Sequence, residues 1–593
     1  MTTTSIRTRP LSAGLAVLVL CAVTVLTAGP AAADERGDLI HRPSGAEESN
    51  IYARTIRLEH AGEADGRLLM TFERDNPTGG PIELLIKSSD DDGASWQTLS
   101  TVTDERTGPG RPVARMWQPH LFEFPRALGD HPAGTVMLVA NLVPADGSVT
   151  EFFSWFSSDH GRSWQPGDVI QRGGTFGSGI WEPHVILDAK GRLQLYFADE
   201  RAAPEHSQMI VHVTSTDGGA TWGPVRRDVA SELPGDRPGM PTVTRMGPNG
   251  DFVLGYEICN RAHCPAYVKR SSDGARWGSA ADVGDPVITG DGRYPGHSPV
   301  ITWVPTGDRA GQLVLAAQRV FAAVGDDPAP EDRRALFVHP GDDLGDAWDW
   351  APAPWTVSDA SPGCNANYSP HVMPAGAPGE VRLTAPTSVG DSGTCGEATG
   401  VASIGALPFE SAFDSRGQAG WIGYGGSWQV DDGVLRQRAT DGFPKAVTGS
   451  TGWTDYVVAA ELRLGSGTVD AGLLARLSDP QEGPDAHHGY YVGLDPVDGR
   501  LFVSRQDYAY QEIASRAVPG GIDRDTWHRL SLRVVTTGSG TELRAELRPG
   551  TGAEVITLTA TDPYDSFRSG MVGLRTHSGT ADFRAVTVRP VGR

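Results

Sequence analysis

The chain has 593 residues, several times the roughly 100 to 200 residues of one domain, so more than one folding unit is expected. Glycine (74), proline (43) and tryptophan (15) are frequent, and long stretches of helix-forming residues at helical spacing are missing, which excludes a mainly helical fold. The formal net charge of −22 disfavours nucleic acid and anionic lipid as partners and makes a neutral polysaccharide an easier one.

The beginning of the chain has the three-part layout of a secretory signal peptide. Arg7 and Arg9 precede an apolar run over residues 11–28, and three alanines stand before Asp34. We predict that residues 1–33 are removed and that the protein is secreted and extracellular. No later apolar run approaches the roughly 18 residues of a membrane span, so we expect no membrane partner.

An eight-residue pattern, S-x-D-x-G-x-[ST]-W, recurs along the first two thirds of the chain. Full copies occupy residues 89–96, 157–164 and 215–222, and shortened copies surround Asp273 and Asp343. In such a pattern the Asp accepts backbone N–H bonds, the Gly takes a conformation closed to other residues, and the Trp packs under the turn. The pattern therefore predicts tight turns between antiparallel strands and indicates structure rather than catalysis.

The spacing of these turns predicts the architecture. Asp91, Asp159, Asp217, Asp273 and Asp343 stand 68, 58, 56 and 70 residues apart, enough for one four-stranded propeller blade each. The region from about 48 to 408 has room for six blades, and we expect a strand from the other end of the region to complete the sixth. The repeat resembles the Asp-box of sialidase-like propellers. We predict an all-β chain with a six-bladed, catalytic propeller over residues 34–408.

After Pro408 the repeat stops, and alternating strands separated by Gly, Asp and Pro turns follow. This part resembles the concanavalin-like, laminin-G-like jelly rolls of secreted carbohydrate enzymes. We predict a β-sandwich over residues 409–593. Two roles remain open for it, a carbohydrate-binding module and a packing or spacer domain. Its possible carbohydrate contacts are Trp428, Trp453, Tyr490 and Tyr491.

Four cysteines follow the predicted signal peptide: Cys259, Cys264, Cys364 and Cys395. An even number in an exported chain predicts two disulfides, and three connectivities are possible. Pairing each cysteine with its nearest cysteine in the sequence, Cys259 with Cys264 and Cys364 with Cys395, closes two surface loops at the least topological cost. The spacing fits no zinc pattern well, and we predict neither a metal nor a cofactor.

Two glutamates stand outside the repeated pattern, each at the edge of a predicted strand. Glu182 lies between Trp181 and Pro183, a setting that can desolvate the carboxyl and raise its pKa, as a general acid requires. Glu257 ends an apolar strand and would suit a nucleophile. Hydrolysis of a glycosidic bond needs two such carboxyls about 5–5.5 Å apart for retention or about 6.5–9.5 Å apart for inversion. The residues alone leave open that both are strand residues bridging to arginines.

Residues 52–54, 117–121, 180–183, 196–200, 237–241 and 255–257 resemble glycoside hydrolase family 93, the exo-α-1,5-L-arabinanases. The resemblance covers roughly residues 48–408. It implies a six-bladed propeller, a retaining mechanism and release of arabinobiose from the non-reducing end of linear arabinan. It also implies that Glu182 is the acid/base and Glu257 the nucleophile.

Eight further residues lie in comparable inner-strand or top-loop segments. They are candidates for binding sugar hydroxyls, stacking on a sugar ring or orienting the glutamates, although packing or ion pairing would explain them as well. They are Arg54, Trp117, Trp181, Asp199, Arg237, Arg293, His297 and Tyr368. His120 and His184, each after a proline, fit a structural role better. The expected partner is a polysaccharide or oligosaccharide, and the expected assembly is a monomer.

Two other functions remain open. A sialidase would use three convergent arginines for the substrate carboxylate and a tyrosine nucleophile, roles that Arg54, Arg237, Arg293 and Tyr368 could fill, but the usual Arg-Ile-Pro opening is absent. A carbohydrate-binding propeller without catalysis is the second. Three convergent arginines would favour a sialidase, and paired carboxylates would favour a hydrolase of a neutral sugar.

Overall fold

The computed structural model describes residues 37–591 apart from 44, 46–47, 76–81, 108–109, 308–310, 323–326, 361–362, 390–393, 551, 553 and 565–566. The predicted signal peptide lies outside the described residues. The described chain is almost entirely β-structure, with one 3-10 helix at Gly62–Ala64. No helix among the described residues has the length and hydropathy needed to cross a membrane.

Six four-stranded antiparallel sheets, the blades, are formed by residues 38–403. The first strand, β1 (Asp38–His41), belongs to the last blade. The first four blades take their strands in chain order. The first blade contains β2 (Ser49–Arg57), β3 (Leu68–Asp75), β4 (Leu84–Ser89) and β5 (Gln97–Val102), and the second contains β6 (Val113–Glu123), β7 (Val136–Pro144), β8 (Glu151–Ser157) and β9 (Gln165–Arg172). The third blade contains β10 (Ile180–Leu187), β11 (Leu193–Asp199), β12 (Met209–Ser215) and β13 (Arg226–Val229), and the fourth contains β14 (Arg237–Arg245), β15 (Phe252–Cys259), β16 (Ala266–Ser271) and β17 (Asp285–Pro286).

The last two blades are less regular. A two-stranded ribbon, β18 (Arg293–Gly296) with β21 (Arg319–Ala322), accompanies the fifth blade. The fifth blade contains β19 (Val300–Val304), β20 (Gln312–Ala316), β22 (Ala335–His339) and β23 (Asp349–Pro352). The sixth contains β24 (His371–Pro374), β25 (Glu380–Ser388), β26 (Cys395–Ser403) and β1.

The blades close into a ring around one axis. The innermost strands β2, β6, β10, β14, β19 and β24 each contact the next, and β24 contacts β2 again. The N-terminal strand β1 pairs with β26, with Asp38 opposite Thr399, and so completes the sixth blade. Both the six-bladed propeller and its closure by a strand from the other end are therefore confirmed. Closure leaves no open edge between the first and last blades.

The three full copies of the eight-residue pattern form the same turn between the third and fourth strands of a blade. In the first copy Asp91 accepts hydrogen bonds from Ser95 N at 2.9 Å and Ser95 Oγ at 2.5 Å, and Ser89 Oγ accepts one from Gly93 N at 2.7 Å. The turns at Asp159 and Asp217 repeat these bonds. The role predicted for the Asp is therefore the observed one, since its side chain satisfies backbone donors of the turn.

The C-terminal part is a sandwich of two antiparallel sheets. One sheet contains β29 (Trp428–Asp431), β30 (Val434–Gln437), β41 (Ala581–Pro590), β32 (Tyr456–Leu464), β37 (Trp527–Thr537), β38 (Gly540–Arg548) and β39 (Ile556–Asp562), with β27 (Phe409–Ser411) also paired to β41. The other contains β28 (Ile422–Tyr424), β31 (Lys445–Thr448), β40 (Met571–His577), β33 (Asp470–Ser478), β34 (His488–Asp495), β35 (Arg500–Asp507) and β36 (Tyr510–Ala517).

The propeller and the sandwich share an apolar core. One cluster of buried side chains contains Trp348 and Trp350 from the fifth blade together with Tyr424, Leu474 and Tyr491 from the sandwich. Trp348, Trp350 and Tyr491 are each 0% exposed. Burying one large apolar side chain contributes roughly 1.5–3 kcal/mol, so this contact is a substantial part of the stability of both units.

Of the four sandwich aromatics named as possible carbohydrate contacts, three are buried and cannot take that role. Tyr490 and Tyr491 are 0% exposed and Trp453 is 5% exposed. Trp428 is half-buried, and its indole N–H donates to Gly425 O at 3.0 Å. These rings fill the sandwich core or its contact with the propeller, because alternation along a strand turns every second side chain inward.

Candidate active site

The innermost strands of the first four blades carry a bulge at the same place. The pairing register shifts between Ile51 and Arg54, between Trp117 and His120, between Trp181 and His184, and between Gly239 and Thr242. At each shift the first residue inside the bulge has a left-handed backbone. These residues are Tyr52 (φ 63°), Gln118 (53°), Glu182 (60°) and Met240 (55°). Such a conformation costs a non-glycine residue about 1–3 kcal/mol, and bulges of this kind re-aim a side chain next to active sites.

A second repeat in the sequence marks these positions. From the second blade on, the left-handed residue directly precedes a proline: Gln118, Glu182, Met240, Ser298 and Ser369. A residue before proline ordinarily adopts an extended conformation, so five such exceptions at equivalent positions indicate a constraint from the surrounding structure. This X-Pro repeat is the signal by which Gln118, Met240, Ser298 and Ser369 could have been found from the sequence.

The N–H of each left-handed residue before proline is bound by a side chain of the preceding blade. Gln118 N donates to Glu73 Oε2 at 3.1 Å, and Glu182 N donates to Gln118 Oε1 at 3.0 Å. Met240 N in turn donates to Glu182 Oε2 at 2.8 Å. The Glu182 carboxylate is therefore held between its own blade and the next one.

The same arrangement continues around the axis. Ser298 N donates to Glu257 Oε2 at 2.6 Å, and Ser369 N donates to Ser298 Oγ at 3.0 Å. Glu257 is the third residue from the end of β15, the second strand of its blade, and it pairs with Gly239 of β14. Each of the two glutamates thus keeps one carboxylate oxygen bonded to a backbone donor of the following blade.

The two carboxylates meet above the backbone of Gly239. A Cβ atom on Gly239 would lie 3.6 Å from Glu182 Oε2 and 3.7 Å from Glu257 Oε1, so these oxygens are at most about 7.3 Å apart, close enough for two carboxyls to act on one glycosidic bond. The same Cβ would lie only 2.6 Å from Gln208 Nε2. The absence of a side chain at Gly239 therefore helps to leave room between the glutamates.

The pKa values of both glutamates are raised into the neutral range. Burial raises the pKa of Glu182 to about 8, and the nearby carboxylates of Glu257 and Glu200 raise it while the Met240 N–H and Arg237 lower it. Burial also raises the pKa of Glu257 to about 7, against the Ser298 N–H, which lowers it. Near neutral pH the pair can hold one protonated and one ionised carboxyl, the state that acid and nucleophile require.

Two tyrosines border the pair. The rings of Tyr52 and Tyr368 are 6.5 Å apart. Burial raises the pKa of both phenols, and the carboxylates of Glu182 and Glu73 raise them further. Both tyrosines therefore remain protonated at neutral pH and can donate hydrogen bonds, to a bound sugar among other acceptors.

The disulfide Cys259–Cys264 lies beside Glu257. Potential ligand atoms of Glu257, His297 and both cysteines lie within 4.8 Å of one another, and theirs is the one such group found among the described residues. The sulfurs are joined at 2.06 Å and are therefore not thiolate ligands, so this group lacks the donor set of a metal site. The second disulfide is Cys364–Cys395, so both bonds join sequence neighbours.

The disulfide loop positions the donor for Glu257. His297 N donates to Cys264 O at 3.0 Å, and Pro265 forms a β-bridge with Gly296. Both His297 and Ser298 have left-handed backbones, with φ of 61° and 43°. The loop therefore fixes the strained segment whose Ser298 N–H binds the Glu257 carboxylate.

Three further candidates line or support the axis. Arg54 is 4% exposed, lies 3.9 Å from the Tyr52 ring centroid and donates to Ser369 O and Oγ, so it braces the first blade against the sixth. Trp117 directly precedes the bulge residue Gln118 and is half-buried beside Arg115. Trp181 precedes Glu182, and its indole lies over the backbone of Gly179.

Arg237 and Asp199 are engaged in ion pairs. Arg237 pairs with Glu200 and donates to Gln208 Oε1 at 2.6 Å, and it is close enough to Glu182 to lower the pKa of that carboxyl. Asp199 is 3% exposed and accepts hydrogen bonds from Arg201 at 2.8 Å. Asp199 therefore orients a neighbouring arginine.

Arg293 lies at the contact with the sandwich and not at the pair. Its guanidinium donates to Glu331 at 2.8 Å, to Asp291 at 2.6 Å and to Asp479 of the sandwich at 3.2 Å. Both Arg293 and Glu331 are buried, at 4% and 0% exposed. This network joins the two domains, and nothing in the local sequence around Arg293 indicated its partner 186 residues away.

The propeller is similar to solved fungal enzymes. An α-L-arabinofuranosidase from Fusarium graminearum, determined with an iminosugar inhibitor, is 25% identical; the match covers 62% of this chain and 97% of that chain with a TM-score of 0.51. An α-L-arabinanase from Penicillium chrysogenum, determined with arabinobiose, gives the same identity, coverage and TM-score, namely 25%, 62% and 97%, and 0.51.

A further Fusarium graminearum structure is described as a family 93 α-L-arabinofuranosidase with arabinobiose; it is 25% identical over 62% of this chain and 96% of that chain, with a TM-score of 0.50. The resemblance to glycoside hydrolase family 93 is thereby confirmed. Residues 408–589 match the model of 3-keto-α-glucoside-1,2-lyase-like domains. A comparison with curated protein sequences finds no match.

Proposed function

We propose that this chain is a secreted, retaining exo-glycosidase that acts on linear α-1,5-arabinan and releases arabinobiose from the non-reducing end. The observation that carries the proposal is the glutamate pair: Glu182 and Glu257 face each other across Gly239 with pKa values of about 8 and about 7. The similarity to an α-L-arabinofuranosidase and to an α-L-arabinanase that binds arabinobiose supports arabinan as the substrate.

In the first step Glu182 acts as general acid and Glu257 as nucleophile. Glu182 Oε2 accepts the Met240 N–H, so Oε1 is the oxygen that carries and donates the proton. A Glu257 oxygen attacks the anomeric carbon, the bond from that carbon to the leaving oxygen breaks, and the proton of Glu182 passes to the leaving oxygen. The products are a glycosyl ester of Glu257 and the shortened chain.

In the second step Glu182, now ionised, removes a proton from water, and the water oxygen attacks the anomeric carbon. The ester bond to Glu257 breaks, and its electron pair returns to the carboxylate, which the Ser298 N–H at 2.6 Å helps to stabilise. Two inversions at one carbon retain its configuration. Glu182 ends the cycle protonated.

The site fits a neutral sugar better than sialic acid. Of the three arginines that a sialidase would need, Arg54 braces two blades, Arg237 pairs with Glu200, and Arg293 belongs to the domain contact. The carboxylates near Tyr368 raise its pKa and would repel an anionic substrate. We therefore propose an arabinanase as the function and keep a sialidase as the second candidate.

The sandwich, in this proposal, supports the propeller. Its second sheet shares the buried cluster with Trp350 of the fifth blade, and Asp479 completes the Arg293 network. The fifth blade supplies Ser298, which holds Glu257. A domain that stabilises this blade therefore also stabilises the position of the nucleophile.

Product analysis on linear arabinan and on a sialoside tests the proposal, with wild type beside Glu182→Gln and Glu257→Gln. We expect wild type to release arabinobiose from arabinan and no product from the sialoside. We expect the rate on arabinan to fall at least about 10³-fold in each variant, because the reaction requires both carboxyls. Glu205→Gln is the matched control, since Glu205 is an exposed carboxylate in the β11–β12 loop. Unchanged rates in both site variants would leave a binding propeller as the function.

A further inference from the structure

One aromatic side chain on the propeller is conspicuously exposed. Phe176 is 55% exposed, and among the described propeller residues no other Phe, Tyr or Trp side chain is comparably open to solvent. Exposed aromatic surface of this kind is unfavourable in water and commonly marks a binding site. Phe176 lies in the loop that joins β9 to β10.

This loop is at the same end of the propeller as the glutamate pair. We call this end the entrance face: here β10 and β14 begin, and β11 and β15 end. Glu182 is the third residue of β10, so the loop over residues 173–179 leads directly to it. The Phe176 and Trp181 ring centroids are 5.7 Å apart, with 37° between the ring planes.

The loop is held in place by the buried carboxylate of Glu200. Glu200 Oε2 accepts hydrogen bonds from Gly177 N at 3.2 Å and Gly179 N at 3.1 Å, and Glu200 also pairs with Arg237. Within the loop, Gly174 N donates to Ser178 O at 2.7 Å. Phe176 is therefore presented by an ordered backbone, which lowers the entropic cost of binding a ligand against it.

Glycines leave one side of each ring close to backbone. A Cβ on Gly147, whose φ is +63°, would lie 3.0 Å from Phe176 Cε2, and a Cβ on Gly179 would lie 2.8 Å from Trp181 Cζ2. The Phe176 ring thus rests on the Gly147 backbone with more than half of its surface open to solvent, and the half-buried Trp181 ring lies beside it, packed against the core of the blade. The loop sequence over residues 173–179 contains no charged residue, which suits a neutral ligand.

We propose that Phe176 and Trp181 form a stacking platform for the sugar units on the leaving-group side of the cleaved bond. This inference rests on the proposed function. The side is assigned because Glu182, which protonates the leaving oxygen, belongs to the same blade as the platform, whereas Glu257 belongs to the next blade. Apolar faces of neutral sugar rings stack on aromatic side chains, so the ligand is a neutral oligosaccharide chain.

The test compares Phe176→Ala, Phe176→Tyr and Leu233→Ala. Leu233 is the matched control, because it is 61% exposed in the β13–β14 loop, the equivalent connection of the next blade. Values of kcat/KM are measured on arabino-oligosaccharides of increasing length and on arabinobiosyl fluoride, whose leaving group carries no sugar. We expect Phe176→Ala to lower kcat/KM about 3- to 10-fold on the longer substrates alone, and Phe176→Tyr to restore it.

A second variant, Gly147→Ala, should reproduce the defect, since its Cβ would displace the Phe176 ring. Melting temperatures confirm that all variants are folded. The inference is overturned if Phe176→Ala behaves as Leu233→Ala does, or if it loses activity equally on arabinobiosyl fluoride. Failure of both wild type and Leu233→Ala on every arabinosyl substrate would instead overturn the proposed function, and the platform with it.

Discussion

The proposed reaction needs Glu257 ionised and Glu182 protonated, so the rate of arabinan hydrolysis should follow a narrow bell-shaped pH profile. Burial raises the pKa of Glu257 to about 7 and that of Glu182 to about 8. With these values about 60% of the molecules have the required state near pH 7.5, and only about 1% at pH 5. The two pKa values belong to the interacting pair, since each carboxylate disfavours ionisation of the other.

The assay is kcat/KM for an arabino-oligosaccharide from pH 4 to 10 at constant ionic strength. We expect a fall of about 60-fold between pH 7.5 and pH 5, with unit slope on the acid side. Glu182→Gln with arabinobiosyl fluoride separates the two groups, because this leaving group needs no proton: the acid limb of Glu257 should remain and the alkaline limb should vanish. An acid midpoint below pH 5 in wild type, or an alkaline limb retained in the variant, would refute the assignment.

Three further predictions concern stability and positioning. The folded pKa of Glu182 lies above its ordinary value of 4.5, so its contribution to stability is complete below pH 4.5 and is lost as the pH rises through about 8. At pH 9 the free energy of unfolding of Glu182→Gln should therefore exceed that of wild type by about 5 kcal/mol, and at pH 4 this difference should disappear; denaturant unfolding measures both, and a difference independent of pH would contradict the prediction. Replacing Cys259 and Cys264 by serine should lower the free energy of unfolding by about 2 kcal/mol and remove most of the activity, because this disulfide loop positions the donor for Glu257. Replacing Cys364 and Cys395, whose disulfide spans 31 residues, should lower the free energy of unfolding by about 4 kcal/mol and leave kcat/KM nearly unchanged. Denaturant unfolding and kcat/KM measure the two effects, and equal losses of activity would count against the positioning role. Arg293→Met leaves a buried carboxylate unpaired and should destabilise the protein by about 3–5 kcal/mol in denaturant unfolding, and an unchanged midpoint would show that the network does not join the domains.

Local patterns were sufficient to predict the turns, the strands and the number of blades. The Asp, Gly and Trp of each repeat act within eight residues of one another, so their interactions are encoded locally. The closure by β1 could also be predicted, because a sheet with an unpaired edge needs a partner. The two disulfides join sequence neighbours, although composition alone allowed three connectivities.

The site required the tertiary structure. Glu182 and Glu257 are 75 residues apart in the sequence, and only the ring of inner strands brings both to Gly239. Their raised pKa values come mainly from burial by other blades, which no local pattern contains. The X-Pro repeat was visible, but the left-handed backbone at those positions contradicts the ordinary preference before proline and arises from the bulges.

The sequence by itself therefore determined the all-β class and the repeated turns, and through the resemblance it predicted the two glutamates that the proposed function uses. The tertiary structure alone decided that Arg293 joins two domains, that Tyr490 and Tyr491 are core residues, and that Phe176 stands exposed beside the pair. The physical reason is the range of the interactions: turn chemistry acts over a few residues, whereas burial, carboxyl pKa values and ion-pair partners depend on chain segments that only folding brings together.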